Sequence, residues 1–152
     1  MQYTAIIEKE PNTDWGAYVP DLPGCVAVGA SREEVERLIQ EAVELHLRAM
    51  REDGEPIPAP NSMALIVEVA AQRNQNRMGE RSVRYTIVIE NAGNNYSAYV
   101  PDFPGCIATG KTIEETKRNM QDAIAFHLRG MREDGEPIPQ PNSTADVVEV
   151  AA

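Results

Sequence analysis

Residues 50–58 read MREDGEPIP, and the same string returns unchanged as residues 131–139. Extending the comparison outward, residues 18–71 align with residues 99–152 at an offset of 81, with 35 identities in 54 positions. Upstream, Tyr3-Thr4-Ala5-Ile6-Ile7-Glu8 matches Tyr85-Thr86-Ile87-Val88-Ile89-Glu90 at an offset of 82. The copies therefore differ by one residue between their first two apolar runs, in a loop where a change of length costs little. Self-similarity of this kind marks a duplicated supersecondary unit. The chain divides into a first copy at 1–71, a polar linker at 72–82 and a second copy at 83–152. Each copy, about 70 residues long, would be only marginally stable alone. Two joined copies most simply imitate a twofold homodimer, the linker raising the effective concentration of one half for the other.

Within a copy the patterns change in a fixed order. Residues 2–8 and 85–90 are rich in β-branched and aromatic side chains, as strands require. Asn12-Thr13-Asp14 and Ala92-Gly93-Asn94-Asn95 supply turn chemistry, so residues 15–19 and 96–100 return antiparallel. Pro20-Asp21-Leu22-Pro23-Gly24 then breaks the ladder, because prolines lack the donor. A third strand follows at 25–29 and 106–110. Ser31-x-x-Glu34 and Thr112-x-x-Glu115 are capping boxes opening a helix. Ile39, Ala42, Val43, His46, Leu47 and Met50 form its apolar stripe, matched by Met120, Ala123, Ile124, His127, Leu128 and Met131. Asp53-Gly54 and Asp134-Gly135 end the helix. After the proline-rich residues 55–62 comes a fourth strand at 64–70, and a right-handed crossover would place it parallel to strand one of its own copy. The expected architecture is α+β: two tandem β-β-β-α-β two-layer domains forming a pseudo-dimer. Leu38, Val35 and Leu65 become Asn119, Thr116 and Asp146 in the second copy, which would put those positions outside the common core.

Composition narrows the function. The chain has 152 residues, 24 acidic and 14 basic, for a net charge of -10. Nucleic-acid binding needs clustered Lys and Arg, so the balance disfavours it and favours a basic protein partner. No apolar run approaches the ~20 residues that span a bilayer, and the N-terminus lacks the regions of a signal peptide. Two cysteines make no disulfide framework, so a cytoplasmic setting without membrane association is expected.

Few groups invite chemistry. One Cys (25, 106) and one His (46, 127) per copy are too few for zinc, and the histidines fall in the helix stripe as packed core residues. Glu8 and Glu68 could neighbour each other on adjacent strands, yet two acids do not make a Mg²⁺ nuclease site. No phosphate loop or nucleophile elbow occurs. Catalytic, metal and cofactor residues are expected to be none. What remains is an aromatic and acidic rim: Trp15, Tyr18, Asp21 and Leu22, with Tyr96, Tyr99, Asp102 and Phe103. Rigid aromatics offer contact area at low entropy loss, and the aspartates offer charge to a basic partner.

Tyr18-x-Pro20-Asp21-Leu22-Pro23-Gly24-Cys25, then Gly29, the Ser31–Glu34 cap, Ala42 in the helix and the Gly54-x-Pro56-x-Pro58 tail together resemble the HicB family, the antitoxin halves of HicA–HicB toxin–antitoxin pairs. The resemblance covers both repeats. It implies a partial RNase H-like fold that has lost its nuclease acids, and a role in masking a small basic RNA-cleaving toxin. Many members append a segment that binds their own promoter; none follows the second repeat here, so direct DNA binding is not expected. Two other readings stay open: a HicB-like binding module without a toxin, and a residual RNase H-like nuclease. Further homo-oligomerisation of the fused chain also stays open.

Overall fold

The computed structural model describes residues 1–9, 11–73 and 80–151. In chain order the elements are β1 (Gln2–Lys9), β2 (Trp15–Tyr18), β3 (Val26–Gly29), α1 (Arg32–Glu52) and β4 (Ser62–Arg73), then β5 (Glu80–Asn91), β6 (Tyr96–Tyr99), β7 (Ile107–Gly110), α2 (Ile113–Glu133) and β8 (Ser143–Glu149). The strand–strand–strand–helix–strand order repeats as the sequence implies. Residues 74–79 of the expected linker lie outside the described residues; on either side of them the chain is already strand.

The compact units do not coincide with the repeats. One unit is Met1–Ser62 with Asn142–Ala152; the other is Met63–Pro141. The first sheet runs β3-β2-β1-β8 and the second β4-β5-β6-β7. Each copy thus gives its last strand to the sheet of the other, so each compact unit draws on both repeats. The expected parallel crossover is corrected. β8, not β4, flanks β1, and it does so antiparallel, from Gln2↔Glu149 to Glu8↔Ser143. The proline segment explains the hand-over. Prolines at 56, 58 and 60, and at 137, 139 and 141, fix φ and remove donors at alternate positions, so the chain leaves the helix extended. The units part immediately beyond, at 62/63 and 141/142.

In the first unit α1 lies on one face of the sheet. Tyr3, Ala5, Ile7, Ala17 and Val148 from the strands, with Val19 and Val150 just beyond strand ends, meet Val35, Ile39, Val43 and Leu47 from the helix. In the second, Val67, Val69, Tyr85, Ile87, Ile89, Ala98 and Val100 meet Met120, Ile124 and Leu128. Burying a side chain of this size stabilises by about 1.5–3 kcal/mol, so these layers dominate folding. Each helix is fastened at both ends. Glu34 N donates to Ser31 Oγ at 3.1 Å while Ala30 N donates to Glu34 Oε2 at 2.8 Å. Thr112 and Glu115 repeat the arrangement at 3.0 Å each, with Lys111 N the second donor. Gly54 and Gly135 adopt φ of 71° and 72°, letting Glu55 N and Glu136 N close back on Met50 O and Met131 O.

Position 35/116 is core, against the expectation drawn from its change to Thr. Val35 and Thr116 are both 0% exposed. Thr116 Oγ1 donates to Thr112 O at 2.7 Å, so the buried hydroxyl is satisfied within its own helix. The facing strands bring glycine here. A Cβ on Gly29 would sit 2.9 Å from Val35 N, and one on Gly110 2.6 Å from Thr116 Oγ1.

Candidate functional site

The eight rim residues do not share one surface. Leu22 and Phe103 are 1% and 2% exposed and belong to the two cores. Each side chain plugs the core beneath its Pro-Gly loop rather than standing on the rim. Leu22 N donates to Val19 O at 3.1 Å and Cys25 N to Leu22 O at 3.0 Å, and this tight turn aims the side chain inward. Phe103 lies tilted against Tyr85 at 4.6 Å and against His127 at 5.4 Å between ring centroids.

Trp15 and Tyr18 are three residues apart on one strand, so they face opposite sides of the sheet. Trp15 pairs in register with Lys9 and Gly29 and packs at the edge of the helix-side core. Arg32 Cζ stands 5.9 Å from its ring centroid; the same guanidinium donates to Glu36 Oε1 at 2.8 Å and to Thr144 Oγ1 at 2.9 Å. Tyr18 stands on the other face, in register with Ile6 and Val26. In the second unit Tyr96 packs on the core, while Tyr99 shares the outer face with Val88 and Ile107.

Asp21 is committed to holding the fold. Its Oδ2 accepts from Asn61 N and Ser62 N at 3.1 Å each, and its Oδ1 from Ser62 Oγ at 2.9 Å. Tyr3 Oη donates to Pro58 O at 2.5 Å, so the proline segment is pinned at two points. Tyr85 Oη donates to Pro139 O at 2.7 Å in the second unit. Burial, and then the Asp102 carboxylate, push the Tyr85 phenol up to about 12. Tyr3 is raised as well, by burial first and then Asp21, with Arg51 opposing.

The groups weighed for catalysis are dispersed. Glu8 is on β1 in the first unit, while Glu68 is on β4 in the second, where it accepts from Ser82 Oγ at 2.6 Å and lies 3.7 Å from Arg84 Nε. The expected adjacency fails because β4 is not beside β1. Among the described residues no group of three or more His, Cys, Asp or Glu could hold a metal ion. Cys25 and Cys106 are free and buried, and burial pushes both thiols up, away from the nucleophilic thiolate. A shallow groove of about 200 Å³ lies among Glu44, Leu47, Arg48, Arg51, Val150 and Ala151, below the usual size of a small-molecule site. No helix among the described residues is long and apolar enough to cross a membrane.

One feature escaped the reading of the sequence. Leu45 and Phe126, equivalent positions on α1 and α2, are 63% and 75% exposed. They lie off the core stripe, and a large apolar residue recurring there in both copies was the available signal.

A family model described as "HicB_like antitoxin of bacterial toxin-antitoxin system" matches the chain twice, over residues 3–77 and 85–151. A 14.9 kDa protein from the rep-hol intergenic region of Haemophilus phage HP1 is 45% identical over 58 residues, which is 38% of this chain and 44% of that protein. The chain thus spans less than half of that relative's length. UPF0150 proteins of Thermoplasma acidophilum and Thermotoga maritima are 33% and 41% identical over 44% of this chain, spanning 97% and 88% of their own lengths. Among solved structures, the HicA3 and HicB3 toxin–antitoxin complex matches with a TM-score of 0.35 and 30% identity, over 40% of this chain and 69% of that one. The N-terminal domain of Burkholderia pseudomallei antitoxin HicB matches with a TM-score of 0.36 and 25% identity, over 39% and 69%. With both repeats matched by the same family model and each carrying the strand and helix pattern in order, the chain belongs to the HicB-like antitoxin family.

Proposed function

We propose that this chain is an antitoxin that binds a small basic RNA-cleaving toxin of the HicA type and covers its RNA-binding surface. The observation that carries the reading is the double match to the HicB-like antitoxin model, spanning both repeats. The net charge of -10 supports it independently, because an acidic surface speeds encounter with a basic partner and repels nucleic acid. The chemistry of the side chains agrees: the thiols are buried and the acids dispersed, so inhibition by occupancy asks nothing of them beyond shape and charge.

Co-expression with a small basic HicA-type toxin tests the proposal. A stable complex on size exclusion, weakened as salt rises, is the expected result; two separately eluting proteins at low salt would refute it.

A further inference from the structure

The exchange of last strands redistributes charge. The unit formed by Met1–Ser62 and Asn142–Ala152 holds 14 acidic and 5 basic residues, net -9; the unit Met63–Pro141 holds 10 and 9, net -1. Counted by repeats the values are -8 and -4, with +2 in the linker; the exchange moves Glu68 out of the first unit and Asp146 and Glu149 into it, and the linker's +2 falls in the second unit. Nearly all of the chain's net charge therefore sits on one of two otherwise similar bodies.

The helix faces show where this difference meets an apolar anchor. Leu45 on α1 and Phe126 on α2 are exposed at the same position of the repeat. Most of the surroundings also match: Glu33, Arg37, Glu41, Arg48 and Glu52 correspond to Glu114, Arg118, Asp122, Arg129 and Glu133. Charge differs at three places: Arg32, Glu36 and Glu44 on α1 become Ile113, Lys117 and Ala125 on α2. Of these only Glu44 adjoins Leu45; Glu36 lies half-way round the helix and is paired with Arg32. A partner choosing between these faces would find an apolar anchor on both, one additional acid beside Leu45, and behind it a body of net charge -9 rather than -1.

We propose that the basic partner docks on the unit of net charge -9, on the outward face of α1 around Leu45, and that the equivalent face of α2 is the lesser site. This rests on the toxin-binding reading above. Electrostatic attraction acts over about a Debye length, 8–10 Å at ordinary salt, so the charge of the nearer body governs approach. Apolar contact at Leu45 then holds the complex, as a central anchor within a polar rim does.

The test alters each anchor in turn. Leu45 and Phe126 are both exposed, so L45K and F126K remove the apolar contact and add a like charge without burying it. Calorimetric titration with a small basic HicA-type toxin is expected to show about tenfold weaker binding for L45K and less than twofold change for F126K. E44A, at an exposed position beside Leu45, is expected to weaken binding two- to threefold. Equal effects of L45K and F126K, or a loss confined to F126K, would overturn the assignment to α1. Failure of the unmodified chain to bind would overturn the proposed function itself.

Discussion

Asp21 carries more of the fold than its place in a loop suggests. Three hydrogen bonds accepted by its carboxylate fix the end of the proline segment where the chain passes out of the first unit. Asp21→Ala leaves those donors without their acceptor and is expected to destabilise by about 1–3 kcal/mol, read as a lower urea midpoint. An unchanged midpoint would show that the pin is dispensable. Tyr85 makes a second residue-scale prediction. Its phenol, ordinarily ionising near 10, is pushed up to about 12 by burial and Asp102. The folded state therefore keeps its proton more tightly than the unfolded one. Its contribution to stability is complete below pH 10 and is lost between 10 and about 12. In Tyr85→Phe the decline of stability across that window should be shallower; an identical decline would contradict the assignment. Individual residues were the least legible scale. Leu22 and Phe103 look like loop residues available to a partner, yet the Pro-Gly turn folds each back into a core. Trp15 and Tyr18 look like neighbours, yet odd spacing on a strand sends them to opposite faces.

Elements were read more faithfully, because caps and periodicity are local. The capping boxes, the glycine helix ends and the apolar stripe all form as their chemistry requires. What the letters could not show was the partner of each last strand. β4 and β8 have the same pattern as any strand on the sheet of their own repeat, and the crossover rule presumes a return to it. The prolines send the strand onward instead. Val148 illustrates the consequence: it belongs to the second repeat but is buried in the first unit, opposite Tyr3. Val148→Asp should thus loosen β1 rather than β5, through an unpaired charge in an apolar layer. Amide hydrogen exchange checks this: faster exchange in Gln2–Lys9 is expected, and faster exchange confined to Glu80–Asn91 would contradict the exchange of strands.

At the scale of the whole molecule, duplication and acidity were plain in the sequence. Their combination was not plain. Only when β8 is counted with the first unit, and the linker with the second, does net charge separate into -9 and -1. The duplication thus yields two bodies of one architecture with unequal attraction for a cation-rich surface. The most direct measurement is RNA cleavage by a small basic HicA-type toxin, titrated with the intact chain. Cleavage should fall to background as the chain approaches equimolar amounts and recover at high salt. An undiminished rate in the presence of excess chain would mean that it masks no toxin.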